Sequence, residues 1–147
     1  MYESILIPYD GSDEANRGAT HGIDLAAELG AAVHGLYVMD LPGAPRALSL
    51  RDDEEELREE YREYGETVMA ELSELAHERG VECSTAIKSG SVSEAIVDYA
   101  RDEGLDAIVM ASAYHGTLGA LLGGTTDKVV RTATVPVITQ RMRVDEV

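Results

Sequence analysis

Phenylalanine and tryptophan are absent from this chain of 147 residues, and lysine occurs only as Lys88 and Lys128. Cys83 is the single cysteine, so no intramolecular disulfide can form. It alternates with Val81, Thr85 and Ile87 as one face of a strand would, which reads as a structural thiol. The four histidines, His21, His34, His77 and His115, are scattered. None pairs at metal-ligand spacing with cysteine or clustered carboxylates, so no dedicated metal site is expected. No apolar run approaches the roughly 20 residues that span a bilayer. The opening "MYESILIPYDGS" has neither the basic n-region nor the small-residue cleavage site of a secretory signal, so a cytoplasmic protein is expected.

Basic residues are scarce: 12 Lys and Arg stand against 28 Asp and Glu, a formal net charge of −16. Such a surface repels itself at low salt. At molar salt the screening length falls to about 3 Å and the repulsion largely disappears. The composition therefore predicts a cytoplasm of high ionic strength, as in salt-loving microbes. It also excludes nucleic acid and anionic membranes as expected partners, since both need clustered Lys and Arg.

What is present is an alternation of short apolar runs and amphipathic stretches. "SILIPYD" (Ser4 to Asp10), closed by "DGS", reads as a buried parallel strand. Ser12 is placed to cap the following helix, whose inward stripe is Ile23, Leu25, Ala26 and Leu29 and whose stop is Gly30. Ala31 to Asp40 is a second strand. After a loop with Pro42 and Pro45, a long charged helix runs from about Asp52 to Arg79. Its buried face is predicted as Tyr61, Tyr64, Val68, Leu72, Leu75 and Ala76, and its acid run "DDEEELREE" as a solvated start. "VECSTAIKS" is strand three. Ser91 and Glu94 then have capping-box spacing ahead of a helix facing inward with Ala95, Ile96, Tyr99 and Ala100. Leu105 to Ser112 is strand four, Thr125 to Ala133 a fourth helix, and Val135 to Arg141 strand five. This order implies one α/β domain over 1–147, with an open parallel sheet and helices on both faces. Pro136 cannot donate a ladder hydrogen bond, which puts strand five at an edge that a second copy of the chain would cover.

Three segments, "ILIPYDGSDEANRGATHGIDLAAELGAAVHGLYVMD", "GSVSEAIVDYARDEGLDAIVMAS" and "GGTTDKVVRTATVPVI", come in an order and spacing that resembles the universal stress protein family from about Tyr2 to Arg141. The resemblance implies a Rossmann-like five-stranded parallel sheet of order 3-2-1-4-5, which sets the ends of strands one and four side by side at the switch point where ligands bind. It also implies a homodimer formed through the last strand, Val135 to Arg141. ATP is the candidate cofactor, because family members divide into those that bind it and those that do not.

ATP-binding members carry a glycine, two residues, a glycine, nine residues, then a glycine followed by Ser or Thr. Glycines let the backbone approach phosphate oxygens, and free N–H groups at a helix start hold the anion. This chain departs from the pattern. With Gly123 as the last glycine, the earlier positions hold Met110 and Ala113, and Gly124 stands where the hydroxyl should be. With Gly124 last they hold Ala111 and Tyr114, although Thr125 supplies the hydroxyl. "HGTLG" rescues Gly116 but shortens the remaining spacing. By the same resemblance, Pro8 and Asp10 fall where nucleotide binders approach the ribose. Tyr9 takes a position usually held by a smaller residue, able to crowd an adenine or stack on one. Val38 matches an adenine-lining position.

The candidate site is thus Pro8, Tyr9, Asp10, Val38, Ala111, Gly116, Gly123, Gly124 and Thr125, with no catalytic or metal-binding residue. Each also has a plainer reading. Asp10 would cap a turn, Val38 belongs to the core, Gly123 and Gly124 open a helix, His115 is solvated, and Asp127 would repel a phosphate. The sequence therefore reads first as a non-catalytic stress-response homodimer with a degenerate adenine-nucleotide site. The alternative is a working ATP-binding switch. An ATP-pyrophosphatase-type enzyme is disfavoured, because "DGSDEA" lacks the paired glycines and second serine of that class. A flavodoxin-like protein is disfavoured as well, since strand one has no Thr/Ser-rich phosphate loop.

Overall fold

The computed structural model describes residues 2–40, 51–112 and 124–141. Their elements run β1 (Ser4–Pro8), α1 (Asp13–Leu29), β2 (Ala32–Met39), α2 (Arg51–Glu78), β3 (Cys83–Ser89), α3 (Val92–Asp102), β4 (Ala107–Ser112), α4 (Thr125–Thr132) and β5 (Val137–Arg141). The sheet has the order β3-β2-β1-β4-β5, and all its pairings are parallel. The central strands are buried on both faces, which is why "ILI" and "AIVM" are continuous apolar runs and do not alternate.

The two faces bury separate clusters. Ile5, Ile7, Tyr9, Val33, Tyr37 and Val109 pack under α1 and α2, meeting Ala19, Ile23, Val68 and Leu72. Leu6, Leu36, Ile108 and Met110 pack under α3 and α4, meeting Ile96, Ala100 and Val129. At the start of β4, the Asp106 carboxylate accepts the N–H groups of Glu3 at 2.8 Å and Ser4 at 3.0 Å. These two bonds hold its carboxyl below the usual carboxylate range. They also clamp the beginning of β1 to the element beside it.

Ser12 caps α1 as expected, its hydroxyl oxygen accepting the Ala15 N–H at 3.1 Å. Gly30 ends that helix in the left-handed region, at φ 69°. Several expectations are corrected. Leu29 is 46% exposed, because the inner face of α1 is set by Gly18, Ala19, Gly22, Ile23 and Ala26. Tyr64 is 47% exposed, and Met69 takes the buried place beside Val68. Ser91 is the N-cap of α3, but its side chain makes no capping hydrogen bond. The strands are shorter than their apolar runs: β1 stops at Pro8 and β5 begins at Val137. Cys83 packs partly buried against the α1/α2 cluster, and burial pushes its thiol pKa up, away from the reactive thiolate. Among the described residues no helix is long and apolar enough to cross a membrane.

The residue that decides where α1 sits is Gly18. A β-carbon there would stand 2.6 Å from the Ala111 backbone nitrogen and 3.0 Å from the Met110 carbonyl carbon. A strand backbone cannot yield as a flexible side chain can. Alanine at a helix interior gains about 1 kcal/mol over glycine, but overpacking costs about 1–3 kcal/mol. Gly18→Ala is therefore expected to lower stability by about 1 kcal/mol or more, the clash exceeding the propensity gain. Denaturant unfolding in molar KCl checks this, and unchanged or raised stability would mean that α1 is free to lift off β4.

Candidate functional site

β1 and β4 are neighbours whose connections leave toward opposite faces of the sheet, so a crevice opens beyond their C-terminal ends. Residues from β1, β2, β4, β5, α1, α3 and α4 bound a cavity of about 600 Å³ there. That is inside the roughly 300–1,000 Å³ of small-molecule sites. Its apolar wall is Leu36, Val38, Val92, Ile96 and Met110, all on the α3/α4 side of the sheet. Its polar wall is Asp10, Ser12, Glu14, Ser112, Thr125, Thr126, Asp127, Thr139 and Arg141.

The structure brings together most of the residues singled out from sequence. Pro8, Tyr9, Asp10, Val38, Ala111, Gly124 and Thr125 all border this one cavity. Gly116 and Gly123 lie outside the described residues, as do Ala113, Tyr114 and His115. Tyr9 is only 6% exposed and joins the cluster under α1 and α2. Its side chain follows Ile5 and Ile7 onto the face opposite Val38, although the residue still borders the cavity. Burial, then the charge of Glu71, push its phenol pKa up.

Asp10 is exposed, and its Oδ1 accepts the Ser12 N–H at 2.9 Å. That is an Asx turn, and it holds one carboxylate oxygen at the β1–α1 corner. The same corner is gripped from behind: the Tyr64 hydroxyl donates to the Asp10 carbonyl at 2.6 Å. Gly11, at φ 83°, lies so close beneath Tyr64 that a β-carbon would come within 2.7 Å of its hydroxyl oxygen. Tyr64 was expected in the core. It instead braces the loop that presents Asp10.

On the other side of the crevice, Gly124 is the N-cap of α4, in extended backbone. The first N–H groups of a helix have no intrahelical partner, and together with the helix dipole they favour an anion. The Thr126 hydroxyl donates to the Ala111 carbonyl at 3.0 Å, tying this helix start to the end of β4. Ala111 is thus held between α1, through Gly18, and α4, through Thr126. Asp127 also lines the cavity, but its carboxylate is paired with Arg131 one turn along the helix, which draws its charge from the cavity mouth.

Sequence reasoning missed Gly18 and Thr126. The first had a usable signal in the i, i+4, i+8 spacing of Gly18, Gly22 and Ala26, a stripe of small residues that lets a helix approach closely. The second had none, because Thr125 and Thr126 are interchangeable until the helix phase is known.

Sequence comparison places the chain among known proteins. The model of the universal stress protein family matches residues 1–141. The chain belongs to that family. A universal stress protein of Thermus aquaticus is 36% identical over 146 residues, covering 96% of this chain and 100% of that protein. One from Methanocaldococcus jannaschii is 33% identical over 142 residues, covering 94% and 81%. Among solved structures, the universal stress protein UspA of Lactobacillus plantarum superposes with a TM-score of 0.82 at 27% identity, covering 95% of this chain and 98% of that one. A universal stress protein in complex with cAMP superposes with a TM-score of 0.76 at 20% identity, covering 95% and 97%. At that identity the likeness is one of fold.

A β-carbon at Gly124 would meet none of the described residues within 4 Å, and the residue's φ is −71°. Gly124→Ala is therefore expected to change folding stability by no more than about 0.5 kcal/mol, while placing a methyl group beside the open helix start. Thermal unfolding of the ligand-free variant checks this, and a large loss would mean that the glycine serves packing.

Proposed function

We propose that this universal stress protein is a non-catalytic, cytoplasmic regulator that works as a homodimer and holds an adenine nucleotide in the β1/β4 crevice through an altered phosphate cradle. The observation that carries the reading is the juxtaposition across one cavity of an apolar slot at Val38 with the amide-rich start of α4 at Gly124 and Thr125. A flat apolar base suits the first and a phosphate the second, with Pro8 and Asp10 between them on the ribose side. The cradle is altered because Ala111 and Met110 stand where one or another alignment would put a glycine. A protein of the same fold holds cAMP, which supports an adenine-nucleotide occupant and leaves the number of phosphates to be found by experiment.

A non-catalytic role is favoured because the described lining residues include no histidine, cysteine or lysine, and two of the carboxylates there are already engaged, Asp10 by the Ser12 N–H and Asp127 by Arg131. The second domain-level feature is β5, an edge strand that opens with the apolar pair Val137 and Ile138. Pairing with a second copy would remove its unsatisfied ladder groups. Val137 and Ile138 already pack partly against the protomer's own clusters, so the contribution of a second copy would lie in edge hydrogen bonds and in their remaining exposed area.

Chain purified in molar KCl and then denatured is expected to release an adenine nucleotide near one per chain, identified by chromatography and mass spectrometry. If it purifies empty, a nucleotide added at 100 times its Kd should stabilise the fold by about 2.7 kcal/mol. An empty protein that gains no stability from added AMP or Mg-ATP would sink the nucleotide reading. Light scattering in the same buffer is expected to return twice the 15.8 kDa chain mass, and a monomer would remove the β5 dimer.

A further inference from the structure

We propose that Arg141 is the residue by which the crevice distinguishes phosphorylated from unphosphorylated adenine ligands. The assignment rests on the nucleotide reading above and deepens it. In the parallel ladder Arg141 is the register partner of Ser112, as Thr139 is of Met110. Side chains two apart on a strand share a face. Thr139, Arg141, Met110 and Ser112 all line the cavity, so the guanidinium emerges on the crevice side of the sheet, where β4 and β5 end.

The charges around it make that position matter. Arg141 is the one cationic residue among the described residues that line the cavity, against Asp10, Glu14 and Asp127. Two of these carboxylates are engaged close to home, Asp10 with the Ser12 N–H and Asp127 with Arg131. The remaining field still opposes an anion, and the chain as a whole carries −16. A helix start supplies partial charges only, equivalent to about half an elementary charge. A phosphate brought to Thr125 therefore needs a full positive charge near it. A guanidinium gives that charge together with a planar fork of donors that matches phosphate oxygens. Adenine and ribose are neutral, so the benefit of Arg141 falls on the phosphate alone. Because Arg141 is the last residue of β5, the same contact would also anchor the end of the edge strand.

The test is calorimetric titration of adenosine and AMP into the wild-type chain, Arg141→Gln and Arg141→Lys, at the lowest KCl concentration that keeps all three folded. The wild type should bind AMP more tightly than adenosine. Arg141→Gln should weaken AMP about tenfold or more, the size expected for a lost charge-assisted hydrogen bond, and leave adenosine unchanged. Arg141→Lys should keep part of the preference. Equal losses for adenosine and AMP would show that Arg141 serves the fold, and an unchanged AMP affinity would show that it does nothing for the ligand; either result overturns the assignment. A wild type that binds both ligands equally overturns it too, with the nucleotide reading left standing. Binding of neither ligand removes the nucleotide reading and this assignment with it.

Discussion

The approach of α1 to the end of β4 is the contact on which the crevice depends. Gly18 meets the Ala111 backbone with no room for a side chain between them, and Gly22 lies as tightly over Ile7, where a β-carbon would be 2.7 Å from its Cδ1. Close-packed interiors transmit such constraints over several residues. With α1 pressed onto β1 and β4, the β1–α1 corner has to turn sharply, and Gly11 supplies the left-handed φ that this requires. Asp10 is delivered to the cavity mouth as a consequence. Thr126 then pins α4 to the same Ala111 from the other side. One strand end thereby positions both halves of the site.

Electrostatics sets what such a site can accept. The protein's charge is strongly negative, and the cavity wall shares that sign at Asp10, Glu14 and Asp127. An anionic ligand would be tolerated because two of these carboxylates have local donors, and because backbone N–H groups carry no counter-charge that must be desolvated. The same arrangement is sensitive to salt in opposite directions. Screening relieves self-repulsion across the surface and, at the same ionic strength, weakens long-range attraction between ligand and cation. Contacts inside a crevice are screened less, so at high ionic strength the proposed site would rely on close backbone donors and on the Arg141 guanidinium.

Much of the fold was legible from residue pattern. "SILIP" and "AIVMAS" are apolar without alternation, which only a strand covered on both faces requires. The alternation with helices made the sheet parallel, and Pro136 just before Val137 marked the edge. The errors came where packing overrode periodicity. Leu29 fits the hydrophobic stripe of α1, yet small residues from Gly18 to Ala26 define that helix's inner face, and Leu29 is left half exposed. Tyr64 fits the α2 stripe, yet α2 passes over the β1–α1 corner at that point, so its hydroxyl reaches a carbonyl there and the ring stays half in solvent. Ser91 has the spacing of a capping box, but spacing does not choose a rotamer. In the site, Asp10 and Val38 were readable from strand ends and family resemblance, whereas Thr126 and the face taken by Tyr9 were not.

The sequence by itself determined the alternation of elements, the double-sided burial of the central strands, the start and stop of α1 at Ser12 and Gly30, and the net charge. These follow from local propensity and composition, which act over a few residues or as a sum over all of them. Tertiary structure alone decided the pairings that shape the crevice: the Thr126 hydroxyl with the Ala111 carbonyl, the Tyr64 hydroxyl with the Asp10 carbonyl behind the β1–α1 corner, and Arg141 with Val38 on the lining of one cavity. Those pairs lie between 15 and 103 positions apart in the chain (126 − 111 = 15, 64 − 10 = 54, 141 − 38 = 103). No local rule connects residues so distant. Only the strand order β3-β2-β1-β4-β5 and the depth to which α1 sinks onto it bring them to one place.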